Sequence, residues 1–322
     1  MHSYVIPLFA ALANAAPTLH VKRTIQSEPA LREDMPDPCI INVGGTWHAF
    51  ATQSGGTGHG NIFVQHATSS DFSTWTYDDS NGVLPNLPAW ATGNVWGPSV
   101  IQRDDGKFVL YFSADAAAAT GNGGTHCLGI ATADSVAGPY TPTSDSSFAC
   151  PLENGGAIDP AGFRDDDGTY YIVYKVDGNA VGQPTPILLQ RMQGDAVTPT
   201  GEPPIELFRN GEFDSGLVEA PNLVKVNGVY FCFFSSANYC STFYAESYAY
   251  ASSLTGPYTK ASQPLLVTGN YNLQGPGGLG VGPSDNTHVA VHSWSSPDAI
   301  CSDPGRYMYV GEVTYSGNSV TI

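Results

Sequence analysis

A proline-centred motif recurs five times along the chain. Its copies begin at intervals of about 60 residues, a periodicity expected of radial repeat folds. Each copy reads as a short strand after the proline, then a turn and an apolar, aromatic strand, which together predict a β-hairpin. A further apolar strand follows each hairpin. The five prolines are Pro38, Pro98, Pro160, Pro221 and Pro276.

Five units of three or four strands predict an all-β fold, a five-bladed β-propeller in which the first strand of every blade lines a central channel. The tetrapeptide Gly-Pro-Tyr-Thr follows two of the units, at residues 138–141 and 256–259, which favours true repetition over coincidence. A β-sandwich or a β-helix with as many strands does not predict this spacing.

The N-terminal residues predict secretion. An apolar run over residues 4–13 is too short to span a bilayer and leads into Ala-Asn-Ala at residues 13–15, a pattern typical of signal cleavage. The basic pair at residues 22–23 resembles a processing site, the alternative being a basic pair in an N-terminal arm. We therefore expect residues 1–23 to be a signal peptide with a short propeptide, residues 24–322 to form one propeller domain, and the protein to be extracellular.

The charge balance excludes one class of partner. Lys and Arg total 12 against 29 Asp and Glu, a formal net charge of −17, so a phosphate backbone would be repelled and nucleic acid is not expected as a partner. Neutral substrates fit this balance. We expect no membrane partner and a monomer.

The six cysteines are an even number in a chain with a predicted secretion signal, which indicates disulfides. The sequence leaves their pairing open. Cys232 and Cys240 could close one hairpin and Cys127 and Cys150 one blade, with Cys39 and Cys301 either paired or buried as small apolar residues. No Cys-x-x-Cys motif occurs, so a zinc knuckle has no support.

The residue that opens each blade is the most informative position for function. These positions converge at the channel mouth of a propeller, however far apart they lie in the sequence. Asp37 and Asp159 directly precede proline, Glu219 lies two residues before Pro221, and blades two and five have Gly. Three carboxyl groups in different surroundings can divide acid and base work. The alternative for either Asp is turn chemistry at the start of a strand.

These motifs, in this order, resemble glycoside hydrolase family 43 from about Asp34 to the C-terminus. Asp37 in Asp-Pro-Cys-Ile resembles the family's general base, and Asp159 in Ile-Asp-Pro resembles its central Asp, which tunes the acid. Glu219 in Val-Glu-Ala-Pro resembles the general acid, and Trp96 in Trp-Gly-Pro occupies the place of the family's Trp-Ala-Pro. The resemblance implies a glycosidase that inverts the anomeric carbon and requires no cofactor for its chemistry.

The resemblance also implies a division of labour. Protonated Glu219 would donate to the leaving glycosidic oxygen, while ionised Asp37 would deprotonate a water on the opposite face, with the two groups about 6.5–9.5 Å apart. Asp159 is expected to raise the pKa of Glu219 by like-charge repulsion and to orient Glu219 and the sugar.

Four further residues are candidates for binding. Arg306 resembles the family's substrate-facing Arg, and Trp96 and Trp294 are expected to offer flat faces to sugar rings. His292 resembles the family's channel His, which implies a water-mediated contact with a structural Ca²⁺ or Na⁺ in the central channel. The alternatives are a surface Arg, buried Trp residues and a satisfied inner-strand His.

The expected substrate is an arabinose-containing plant cell-wall polysaccharide, cleaved by an α-L-arabinofuranosidase or arabinanase. The chain ends directly after the fifth repeat, without the C-terminal β-sandwich of many xylosidase-type members, and this favours arabinose over xylose. A β-xylosidase is the alternative within the family. A carbohydrate-binding lectin is the alternative from another class, but a lectin tends to repeat one binding set in every blade.

Overall fold

The computed structural model confirms the all-β, five-bladed propeller. It describes residues 1, 24–54, 62–80, 82–117, 125–302 and 304–322. Apart from Met1, the predicted signal peptide lies outside the described residues. Helical structure in the described part of the chain is confined to short 3₁₀ segments, which are Leu152–Asn154, Gly178–Val181, Asn270–Asn272 and Pro297–Ala299. No helix there is long and apolar enough to cross a membrane.

Each blade is an antiparallel sheet whose strands follow one another in chain order. Blade one comprises β1 (Cys39–Val43), β2 (Thr46–Ala51), β3 (Gln65–Ser69) and β4 (Thr76–Asp78). Blade two comprises β5 (Trp96–Gln102), β6 (Phe108–Asp115), β7 (His126–Ala133) and β8 (Thr141–Pro142). Blade three comprises β9 (Ala157–Arg164), β10 (Tyr170–Val176), β11 (Pro186–Arg191) and β12 (Ile205–Arg209). Blade four comprises β13 (Val218–Val226), β14 (Val229–Ser236), β15 (Ala245–Ala251) and β16 (Thr259–Lys260). Blade five comprises β17 (Gly277–Val281), β18 (His288–Trp294) and β19 (Arg306–Glu312), and the hairpin of β20 (Thr314–Ser316) and β21 (Ser319–Thr321) follows it.

The N-terminal residues complete the fifth blade. Gln26 and Ala30 donate backbone hydrogen bonds of 2.9 Å to the carbonyls of Val310 and Met308 in β19, and Leu31 forms an antiparallel bridge with Met308. Ile25 is only 2% exposed. This closing segment, residues 24–31, therefore takes the place of a fourth strand and ties the two ends of the propeller together.

The hydrophobic core lies between adjacent blades. Phe50 of blade one packs with Phe112 of blade two in one cluster, and Phe233 of blade four shares another with Val291 of blade five. Further clusters fill the remaining interfaces between blades two and three, three and four, and five and one. Each blade is thus stabilised by its two neighbours, as expected when structure repeats around a ring.

The structure decides between the cysteine pairings that the sequence left open. Cys127 pairs with Cys150, one of the possibilities considered, whereas Cys240 pairs with Cys301 and not with Cys232. The register of blade four aligns Cys232 with Ala249 inside the sheet, whereas Cys240 lies in the loop beyond the end of β14. Cys232 is a buried free thiol, and Cys39 is also free.

The residue that opens each blade has a left-handed backbone. The φ angles at this opening position are 55° for Asp37, 51° for Gly97, 55° for Asp159, 50° for Ala220 and 60° for Gly278. Four of these residues precede the predicted prolines. In blade five the opening position is three residues later than Gly275, which the alignment on Pro276 predicted, so Leu279 rather than a proline follows it.

The backbone N–H at the opening position is bound from the preceding blade. The acceptor is a side chain within two residues of the C-terminal end of that blade's second strand, which we call the cap position. Four blades share this contact, namely Thr52 with Gly97 at 3.0 Å, Ser113 with Asp159 at 3.0 Å, Ser235 with Gly278 at 2.8 Å and His292 with Asp37 at 3.0 Å. The repeat therefore aligns the opening residues around the channel by one recurring hydrogen bond.

Candidate active site

A cavity of about 330 Å³ opens at one mouth of the channel, at the low end of the range of about 300–1,000 Å³ for ligand pockets. The three predicted carboxyl groups, Asp37, Asp159 and Glu219, come from blades one, three and four and all line it. Trp96 and Arg306 line it as well. The structure thus brings together five of the seven site residues that the sequence predicted.

Asp37 is held as a carboxylate. Burial by itself raises the pKa of Asp37, but the positive charge of Arg306, the neighbouring His292 and a hydrogen bond from Thr52 together hold the pKa below its ordinary value. Thr52 Oγ1 donates to Asp37 Oδ2 at 2.7 Å, and Arg306 Nη1 lies 3.7 Å from Oδ1. An ionised, partly exposed carboxylate of this kind can accept a proton from water.

His292 is a buried partner of Asp37. Burial and the nearby Arg306 lower the pKa of His292 to about 3, against the opposing effect of Asp37. The ring is therefore neutral near pH 7, which agrees with Nδ1 accepting the Asp37 backbone N–H. Because His292 is neutral, the charge of Arg306 and the Thr52 hydrogen bond are the main reasons that Asp37 stays ionised. The ring also stacks on Tyr244 with a centroid distance of 5.8 Å.

The described residues do not form a set of protein ligands for the predicted structural ion. Among the described residues, no group of three or more His, Cys, Asp or Glu side chains is arranged to hold a metal ion. His292 has its Nδ1 occupied by Asp37, and its Nε2 lies 3.5 Å from Arg306 Nη1. A water-mediated contact between His292 and Ca²⁺ or Na⁺ stays a prediction.

Asp159 carries the most perturbed carboxyl group of the site. Burial, followed by the charges of Glu219 and Asp37, raises the pKa of Asp159 to about 8, although Lys175 and a hydrogen bond from the Ala220 backbone oppose this. The Ala220 N–H donates to Asp159 Oδ2 at 2.8 Å. Neutral Asp159 avoids the cost of a second buried charge beside Glu219.

Glu219 lies on β13 between two hydrogen-bond donors. Lys175 Nζ donates to Oε2 at 2.9 Å, and the Tyr244 hydroxyl donates to Oε1 at 2.8 Å. Burial, reinforced by Glu219 and Asp37, raises the pKa of Tyr244 well above its ordinary value, so the hydroxyl keeps its proton. The prediction that Asp159 raises the pKa of Glu219 stays a prediction, and the raised pKa in this part of the site belongs to Asp159.

Arg306 is supported from behind by aromatic rings. Its guanidinium carbon lies 5.1 Å from the ring centroid of Tyr239 and 5.5 Å from that of Trp294, distances typical of cation–π contacts. Trp294 is only 6% exposed, and its indole N–H donates to the carbonyl of Tyr239. The prediction that Trp294 offers its face to a sugar does not fit this geometry, because Arg306 lies over the ring.

Trp96 is placed as predicted, on the cavity wall. Its side chain is 38% exposed, and its ring stacks on His126 with a centroid distance of 3.8 Å. The exposed face of an indole held in this way is a suitable surface for packing against a sugar ring.

Thr52, Lys175 and Tyr244 contact the carboxyl groups and were missed in the sequence. Thr52 and Lys175 both occupy the cap position, which is the same position in each of the five repeats. An alignment of the repeats at that position could have found them. Tyr244 lies in a loop just before β15, where no motif marks it.

Comparison with known proteins agrees with this geometry. A family model described as "Glycosyl hydrolases family 43" matches residues 26–319. The chain is 28% identical over 267 residues to an extracellular endo-alpha-(1->5)-L-arabinanase 1 of Bacillus subtilis, covering 77% of each protein. It is 29% identical over 218 residues to a beta-D-galactofuranosidase xynD of Aspergillus niger, covering 63% of this chain and 57% of that protein. The solved structure of a thermostable family-43 glycoside hydrolase has the same fold, with a TM-score of 0.72 and 22% identity over 89% of this chain and 92% of that one.

Proposed function

The chain belongs to glycosyl hydrolases family 43, and from this premise we propose that it cleaves arabinose-containing plant cell-wall polysaccharide, as an α-L-arabinofuranosidase or arabinanase. As a member of this family it is a glycosidase that inverts the anomeric carbon, and its chemistry needs no cofactor. The observation that carries the proposal is the convergence of three carboxyl groups from three blades in one cavity with Arg306.

Asp37 is the proposed general base. Its lowered pKa keeps it ionised near neutral pH, and Arg306 and Thr52 hold it at the cavity. In the reaction, a water loses its proton to Asp37 while its oxygen forms a bond to the anomeric carbon. Inversion follows because this attack comes from the face opposite the leaving oxygen.

Glu219 is the proposed general acid. Asp159 beside it has a pKa raised to about 8, so this part of the site keeps a proton near neutral pH. Delivery is assigned to Glu219, whose motif matches the family's acid. Asp159 is fixed by the Ala220 N–H and packs against Gly97, so it is suited to adjust the proton affinity of Glu219 and to orient the sugar.

Arabinose specificity is supported by a relative. The Bacillus subtilis protein is named an endo-α-(1→5)-L-arabinanase, and it aligns with 77% of this chain. Secretion is supported by the signal-like N-terminus, by the extracellular location in that protein's name, and by two disulfides, which persist in oxidising compartments.

The experiment is a comparison of purified protein on nitrophenyl α-L-arabinofuranoside, nitrophenyl β-D-xyloside and linear arabinan, with the size of the products recorded. We expect products from arabinan or from the arabinofuranoside. Short oligosaccharides from the polymer alone would indicate an endo enzyme, and single arabinose units an exo enzyme. Release from the xyloside alone would replace the proposal by a β-xylosidase, and no release from any of the three would refute it.

A further inference from the structure

Lys175 breaks the hydrogen-bond pattern that the other four blades share. It occupies the cap position of blade three, which is Thr52, Ser113, Ser235 or His292 in the others. A lysine ammonium has no acceptor, so it cannot bind the N–H of the next blade's opening residue. The Ala220 N–H donates to Asp159 Oδ2 at 2.8 Å instead. The exception thus couples the opening residue of blade four to a carboxyl group of the site.

The ammonium group of Lys175 is directed at the proposed acid. The side chain is 1% exposed, and Nζ lies 2.9 Å from Glu219 Oε2 and 2.7 Å from Asp177 Oδ1. Burying a lysine is costly unless its charge is fully paired. Serine or threonine fills this position in three other blades without that cost, so the fold itself does not call for a lysine here.

We propose that Lys175 is a positioning residue that holds Glu219 and, through its charge, sets how readily the Asp159–Glu219 pair releases its proton. The inference rests on the proposed role of Glu219 as general acid and goes beyond it. In the reaction, the proton moves from Glu219 to the glycosidic oxygen as the carbon–oxygen bond breaks, and Glu219 becomes a carboxylate. Lys175 stabilises that negative charge as it forms.

The charges around the pair determine the sign of the effect. The ionisable groups that surround it are Asp37, Lys175, Asp177, Tyr244, His292 and Arg306. Arg306 lies beside Asp37, Tyr244 keeps its proton, and His292 is neutral. Lys175 is therefore the cation that contacts Glu219 and Asp177 directly. Its removal makes the proton of the pair harder to lose.

The test is Lys175→Met, which keeps an unbranched side chain shorter by one atom and removes the charge. On arabinan or another natural linkage we expect kcat to fall by about 10- to 100-fold, the scale of a misplaced catalytic group. On nitrophenyl glycosides the loss is expected to be much smaller, because a good leaving group needs little proton donation. The alkaline limb of the kcat/KM profile is expected to move up by about one pH unit, since an opposite charge at this distance lowers the pKa of an acid by about 1–3 units.

Asp177→Asn provides a second variant with the opposite sign. It removes the competing anion and leaves the charge of Lys175 to act on Glu219 and Asp159, so the alkaline limb is expected to move down. Because Asn has the shape of Asp, this variant keeps the inference testable if Lys175→Met does not fold. An alkaline limb that stays in place or moves up in Asp177→Asn contradicts the inference.

Ser235→Ala is the matched control, since Ser235 holds the same cap position in blade four, accepts from the Gly278 N–H and donates to Glu246, which does not line the cavity. Its loss of activity should be equal for good and poor leaving groups. The same behaviour in Lys175→Met, with an unmoved alkaline limb, would mean that Lys175 is merely structural. Glu219→Gln separates this from a failure of the proposed function. If the loss of activity in Glu219→Gln is larger for poor leaving groups than for good ones, Glu219 is the acid and only the inference about Lys175 fails. If the loss is the same for both, the assignment of Glu219 as the acid fails too.

Discussion

The carboxyl groups of the site differ because their nearest partners differ. Asp37 faces Arg306 and Thr52 and stays ionised, while Asp159 is buried beside Glu219 and Asp37 and has a raised pKa. All three are acidic side chains at or next to the opening positions of their blades. Their proposed roles are thus set by residues outside the short motifs.

Thr52→Val tests the cause of the low pKa of Asp37. The Thr52 hydroxyl donates to Asp37 Oδ2, and a hydrogen bond to a charged group contributes about 1.5–3 kcal/mol, or one to two pKa units. Without this bond the pKa of Asp37 rises. The acid limb of the kcat/KM profile should therefore move to higher pH by about one unit. Thr52→Ser keeps the hydroxyl and should leave the limb near its original position, and equal profiles in the two variants would contradict this account.

Gly97→Ala tests why blade two lacks a side chain at its opening position. A Cβ at Gly97 would lie 2.8 Å from Asp159 Oδ1 and 3.1 Å from its Cα. Ala220 adopts nearly the same φ of 50°, so the backbone conformation alone does not exclude alanine. We expect the contact to displace Asp159 and to lower kcat by about tenfold or more, measured on arabinan at the pH optimum.

The control for this variant is Gly106→Ala in the β5–β6 turn. Gly106 also has a positive φ, of 83°, but a Cβ there would meet no atom within 4 Å. It should lower the melting temperature without a comparable loss of kcat. Equal kcat values for the two variants would show that backbone strain, and not the contact with Asp159, decides the outcome.

At the scale of strands, the closing segment determines whether the ring stays closed. It pairs with β19 and buries Ile25 among core residues of blades four and five. Blade five otherwise has three strands where each of the others has four. The segment also leads directly to Asp37, so its pairing positions the first opening residue.

Ile25→Ala should destabilise the protein by about 2–4 kcal/mol, the usual cost of truncating a buried isoleucine. Equilibrium unfolding in urea measures this free energy. Ile205 at the edge strand β12 is 45% exposed, and Ile205→Ala should cost much less. A closing segment that contributes nothing would give the two variants the same unfolding midpoint.

At the scale of the whole molecule, much of the fold could be predicted because the five-fold repeat is recognisable in the amino-acid sequence. The spacing of the five prolines predicted the blades, and the register placed Asp37, Asp159 and Glu219 at one channel mouth. The alignment failed in blade five, where Pro276 is not the residue after the opening position. The sequence around Gly275 and Gly278 is rich in glycine, so several of its residues fit the opening position of the blade equally well.

The site was only partly predictable, because its remaining contacts join residues of different blades and loops. Lys175 reaches Glu219 from the neighbouring blade, and Tyr244 reaches it from a loop. Cys240 pairs with Cys301 rather than with Cys232, and Trp294 is covered by Arg306. Sequence separation carries no information about such pairs, since inter-blade packing sets their distances.

The central claim is that carboxyl groups from separate blades act as one hydrolytic unit, and its most direct test is the turnover of arabinan by Asp37→Ala and Glu219→Ala. The melting temperature of each purified variant checks that it is folded. We expect both variants to be folded and to lose at least about 100-fold in kcat/KM, the low end of what a positioned acid or base contributes. A folded variant of either kind that keeps more than a few per cent of the activity would contradict the account.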